Sequence, residues 1–279
     1  MKGATQSWIA AGLAVLACLG VAGRAAATDT TEADRMYRNF TRETATLSDG
    51  QARVEVRGLE LQDEENTRLN LYGNLQLPKH SVDKVDGGVV DLLGSYGFAK
   101  NAELGIDIPG IIESKRLSSG QRINNSDIAD ITLYGKFKRS VAEHCWAGGG
   151  VELTLPNGPK DKGFSTGELG VNPFISTRYQ RGAFAVGTNV GFDFYSGDVS
   201  DVFNYGVEAV VRGGESYALR TEIAGRVWNQ AGQRFHDATM LPGIDFNVAN
   251  NLTIRPTGLA NLTKTALDWG VGIGLAGTF

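Results

Sequence analysis

From about residue 66 to the carboxyl terminus the chain alternates apolar and polar side chains with a period of two, the pattern of extended strands with one oily face. Leu69, Leu71, Leu75 and Leu77 open the series. Val90, Leu92, Tyr96 and Phe98 follow, with Asp91 and Ser95 opposite, then Leu104, Ile106 and Ile108 against Glu103 and Asp107. The rhythm runs on through Ile131–Phe137, Val151–Leu155, Leu169–Tyr179, Phe184–Phe194, Phe203–Val211, Tyr217–Val227, Met240–Val248 and Leu252–Ile254. It closes on LDWGVGIGLAGTF, where Leu267, Trp269, Val271, Ile273 and Leu275 alternate with Asp268, three glycines and Ala276 before the final Phe279. This predicts about twelve strands of roughly ten residues, the length a tilted strand needs to cross a bilayer. The first boundary stays open, between Asn66 and a start near Gln51.

The connections carry a second signal. Lys100-Asn101, Ser140 to His144, Arg181-Gly182, Gly213 to Ser216 and Asn250-Asn251 read as tight turns. Between them lie longer polar links near 78–88, 112–126, 157–167, 197–201, 230–235 and 262–265. Short and long connections alternate, as they do in transmembrane barrels with short periplasmic turns and longer external loops. The competing architecture is a water-soluble sandwich whose apolar face points inward. Small residues on the polar face favour the barrel, because a narrow interior needs them. So do aromatics near strand ends (Tyr96, Phe98, Phe137, Tyr179, Phe194, Tyr195, Phe203, Tyr217, Trp228 and Trp269), which suit two interfacial girdles. Backbone groups in hydrocarbon must be paired within the protein, so the last strand must pair with the first. The predicted fold is all-β: a closed antiparallel up-and-down transmembrane β-barrel over residues 51–279.

Composition adds an export route. Lys2, the apolar run Trp8–Ala22 and Ala25-Ala26-Ala27 read as a signal peptide over 1–27, cleaved before Thr28. Val15-Leu16-Ala17-Cys18 loosely resembles a lipidation box, although Leu16 fits it poorly. Residues 28–50 are polar and read as a periplasmic tether, with a plug as the alternative. Cleavage leaves Cys145 as the one cysteine, so no internal disulfide staples the exported chain. A formal charge of −4 gives no basic surface for nucleic acid.

The stretch VDLLGSYGFAKNAELGIDIP (90–109) resembles a recurring hairpin in the Gram-negative outer-membrane family named for the MetA pathway of phenol degradation. DIADITLYGKFKR (127–139), AGGGVELTLPNGPKDKGFSTGELGVNPFIS (147–176) and the lead-in ETATLSDGQARVEV (43–56) are similar to that family's units. The resemblance implies an outer-membrane transporter for passive uptake of small hydrophobic or aromatic molecules. The final strand resembles the signal read by the barrel-assembly machinery, with Phe279 at the periplasmic interface. The expected partners are therefore outer-membrane lipid, that machinery and a small solute.

The polar face carries the candidate chemistry. Glu152, Arg178, Asp193, Glu208, Arg212, Arg220, Glu222, Arg226, Asp245 and Arg255 are expected to line the interior, with Glu103, Asp107, Asp130, Lys136, Lys138, Glu168 and Asp268. Arg212, Arg220 and Arg226, read as lying on adjacent strands, could guide an anionic or aromatic solute through a constriction. The alternative is a packed interior that conducts nothing, in a structural or surface-interaction barrel. An enzyme is not expected: no G-x-S-x-G occurs, and His80, His144 and His236 are scattered. Those histidines with one cysteine make no zinc site. Asp198 and Asp201 could hold Ca²⁺ but read as a solvated acidic turn. No cofactor is implied.

Overall fold

The computed structural model describes residues 46–63, 82–117, 120–160, 164–197, 201–230, 233–263 and 269–279. The expected signal peptide with Cys18, most of the polar 28–50 segment, the Leu69–Leu77 alternation, His80, Asp198 and Asp268 lie outside the described residues.

Thirteen strands form among the described residues: β1 (Ala52–Asp63), β2 (Val82–Ala99), β3 (Ala102–Leu117), β4 (Arg122–Ile128), β5 (Ile131–Ala142), β6 (Cys145–Leu155), β7 (Gly170–Arg181), β8 (Phe184–Tyr195), β9 (Val202–Arg212), β10 (Tyr217–Gln230), β11 (Gln233–Ala249), β12 (Leu252–Asn261) and β13 (Trp269–Thr278). Sequential neighbours pair antiparallel, and β4 and β5 both pair with β3 as one stave interrupted at Ala129–Asp130. The terminal strand closes the ring on β1, from Arg53↔Thr278 to Gln62↔Trp269. The result is a closed antiparallel barrel of twelve staves.

Alternation sets the two faces. Leu104, Phe137, Ile175, Val190, Leu219 and Ile273 are among the apolar side chains exposed on the outside, while Glu103, Lys136, Ser176, Asn189 and Arg220 are buried on the inside. An exposed apolar exterior and a charged interior are what a bilayer imposes on a closed sheet. The inner side of β13 is mostly glycine and alanine because neighbouring chain lies close. A β-carbon at Gly272 would stand 2.6 Å from the Gly58 carbonyl oxygen and 2.8 Å from Leu59.

Three expectations change. The first strand begins at Ala52, so Arg53, Glu55 and Arg57 belong to the barrel. Several expected loops are strand: β3 runs to Leu117, β4 restarts at Arg122, β10 ends at Gln230 and β11 begins at Gln233. Hairpin arms that rise past the membrane meet water on both faces, so their side chains lose the oily row while the backbone keeps pairing. Finally, Trp228 is buried on the inner face, and Tyr195 also points inward, against Gly170. Neither joins the exposed girdle of Tyr96, Phe98, Phe137, Tyr179, Phe194, Phe203, Tyr217 and Trp269.

Candidate functional site

The barrel interior is the candidate site, and its chemistry begins with three inward residues of β1. The sequence RVEVR places Arg53, Glu55 and Arg57 on one face, two residues apart, with Val54 and Val56 outside. Arg53 reaches Glu55 at 2.9 Å, and Arg255 of β12 reaches the same carboxylate at 3.1 Å. Arg255 extends to Asp245 of β11 at 3.7 Å, which Arg220 of β10 meets at 3.2 Å. Arg220 also donates to Thr257 at 2.9 Å. Arg57 lies 3.7 Å from Asp91 on β2. These side chains are almost fully buried. Together they form an ionic belt drawn from five staves and running past a sixth, β13. Removing one member of a buried belt would strand its partners, a loss of about 3–5 kcal/mol.

The expected interior residues fall into separate groups. Arg220, Asp245 and Arg255 share the belt. Arg226 pairs instead with Asp237 through two bonds, at 2.7 and 3.3 Å. Arg212 ends β9, and Arg220 and Arg226 lie on the adjacent β10, where Arg220 meets Asp245, shared with Arg255, and Arg226 meets Asp237. Glu208 and Glu222 face each other directly across β9 and β10, both buried. Asp193 accepts from Asn172 and, at 2.8 Å, from Asn204. Glu152 lies half-buried beside Asn172 and Tyr134, and Arg212 is half-buried near the turn end of β9.

Two buried carboxylates act on backbone instead. Glu103 accepts the Leu47 N–H at 2.8 Å and the Tyr134 hydroxyl at 2.9 Å. Thr46 and Leu47 are buried against the inner wall near the tight turns. Gly97 lets the Ser48 carbonyl approach, since any β-carbon there would collide with it. At the opposite end Asp130 accepts the N–H groups of Gly158 and Thr166 at 3.0 and 3.1 Å. That draws the β6–β7 loop over the interior, where Phe164 packs against Ile111 and Ala129. Of the loop expected near 157–167 as an external excursion, Gly158, Phe164 and Thr166 are held against the inner wall.

The site also contains residues the alternation does not single out. Glu55 and its two arginines lie on the first strand, whose start the alternation left open between Gln51 and Asn66. An apolar patch of Leu59, Val89, Leu241 and Leu259 sits on the inner face, packed with Ala224. No charge or motif marks it, because a leucine in an alternating strand reads as outward-facing whenever its neighbours are also apolar.

No family model matches the sequence, and neither does any curated protein. Solved structures do share its shape. The COG4313 outer membrane channel from Pseudomonas putida F1 matches with a TM-score of 0.63 at 14% identity, over 87% of this chain and all of that one. The NanC porin matches at 0.52 with 10% identity, over 80% of this chain and 98% of its own. The KdgM porin matches at 0.51 with 12% identity, over 81% and 99%. At these identities the likeness is one of fold: this chain has the architecture of outer-membrane channel barrels.

Proposed function

We propose that this protein is a passive outer-membrane channel, that its solutes are small hydrophobic or aromatic molecules, and that it is not an enzyme. The observation that carries the reading is a closed barrel, oily outside, whose inner wall sets the apolar patch of Leu59, Val89, Leu241 and Leu259 beside a charged belt. An apolar solute could rest on the patch while the charges hold the wall open. The likeness in fold to outer-membrane channels and porins, and the hairpins that resemble the MetA-pathway family, support the same reading. In it, Glu152, Arg178, Asp193, Glu208 and Arg212 line the solute path. Export uses the amino-terminal leader, and the assembly machinery reads β13 through Phe279.

Planar-bilayer recording combined with uptake into proteoliposomes tests it. Discrete conductance steps, with faster entry of toluene than of a sugar of similar size, are expected. A silent barrel that admits neither would overturn the channel. The second reading would then stand, a structural barrel with a packed interior, which the paired and buried arginine–carboxylate belt favours.

A further inference from the structure

We propose that the outside of the barrel carries a docking groove for the phosphorylated glycolipid of the outer leaflet, on β8 to β11 near their external ends. The groove encloses about 500 Å³. Its floor is a row set by register, Phe192 opposite Phe203 and Phe203 opposite Val227, all outward-facing. Asp201, Asn229 and Arg234 line it further out, and the buried Trp228 borders it from within the wall. Just below, on the same face, the Tyr205 ring lies over Gly225 and stacks on His236, with their polar atoms 2.7 Å apart.

The occupant follows from this gradient. The Phe–Phe–Val floor belongs to the hydrocarbon layer and suits acyl chains. Asn229 and Arg234 pair across β10 and β11, outward and exposed, where the wall leaves the hydrocarbon layer. Among the described residues no carboxylate forms an ion pair with Arg234, and Asp201 in the same groove does not reach it. With no carboxylate partner among the described residues, the Arg234 guanidinium suits a phosphate at the headgroup level. Asp201 and Asn229 beside it can hydrogen-bond sugar hydroxyls, which a rigid ring holds in place and the flexible glycerol of a phospholipid headgroup does not. An acyl-bearing, phosphorylated sugar satisfies all three levels at once. The inference rests on the outer-membrane location proposed above and not on transport.

Native mass spectrometry of the full chain, titrated separately with diphosphoryl lipid A and with phosphatidylglycerol, tests it. Lipid A is expected to bind about tenfold more tightly, and Arg234→Gln to lose most of that margin. Arg234→Lys should recover part of it. Heat-modifiable gel mobility checks that each variant forms the barrel. A folded wild-type barrel that takes lipid A no better than phosphatidylglycerol, or a folded Arg234→Gln that binds it unchanged, overturns the groove whatever the conductance shows.

Discussion

The two mouths of the barrel are covered by the same device and held with different strength. At each, a buried carboxylate on the β3–β5 wall accepts hydrogen bonds from backbone that is not part of the sheet. Glu103 takes the Leu47 N–H and the Tyr134 hydroxyl, among other contacts. Asp130 takes two backbone N–H groups, from Gly158 and Thr166, and the loop adds Phe164 to a small apolar cluster. Asn157 strengthens that end further by accepting the Ile131 N–H at 2.9 Å and donating to the Ala129 carbonyl. The difference teaches where opening should be cheap. A buried carboxylate must keep its donors, so either cover resists leaving. The external one must also give up a buried ring.

That contrast can be broken in order of expected effect. Phe164→Ala removes the ring and should cost about 3–5 kcal/mol of loop docking, as large-to-small changes in packed sites do. Faster proteolysis within residues 156–169 would register it, together with noisier bilayer currents. Asp130→Ala removes two charge-assisted bonds and should cost about 3 kcal/mol, by the same readouts. Glu103→Ala removes one backbone bond and should cost about 2 kcal/mol, raising hydrogen exchange at Leu47 while leaving the external loop protected. If Glu103→Ala loosened the external loop as much as Asp130→Ala does, the two covers would not be independent and the comparison would fail.

Much of this architecture could be read from the residues. The closing strand β13 was legible because Trp269, Val271 and Ile273 all lie on one side of a glycine-rich strand, and they are exposed as that pattern requires. The staves from β7 to β10 were legible for the same reason, and so were the tight turns between them. The upper parts of β3, β4 and β11 were not. Sequences such as Glu113-Ser114-Lys115-Arg116 look like loops because both faces are polar, yet they pair residue by residue. Trp228 misled in the opposite direction: an aromatic near a strand end suggests the membrane interface, and its even position on β10 turns it inward.

The interior was legible as a set of residues and not as an arrangement. Spacing marks Arg220, Asp245 and Arg255 as facing the same way. It does not say that they join Glu55, nearly two hundred positions earlier in the chain. Nor does it say that Asp130 would bind a loop while Glu208 faces Glu222.

By itself the sequence determined the alternation, the turns and the charge of each face. These follow from a local rule, that successive side chains on an extended chain point to opposite sides. Only the tertiary structure decided which charges meet, which segments cover the two ends and where an apolar patch lies inside. Those depend on the register between strands and on how far the staves curve round to face one another, and a chain carries neither until the ring is closed.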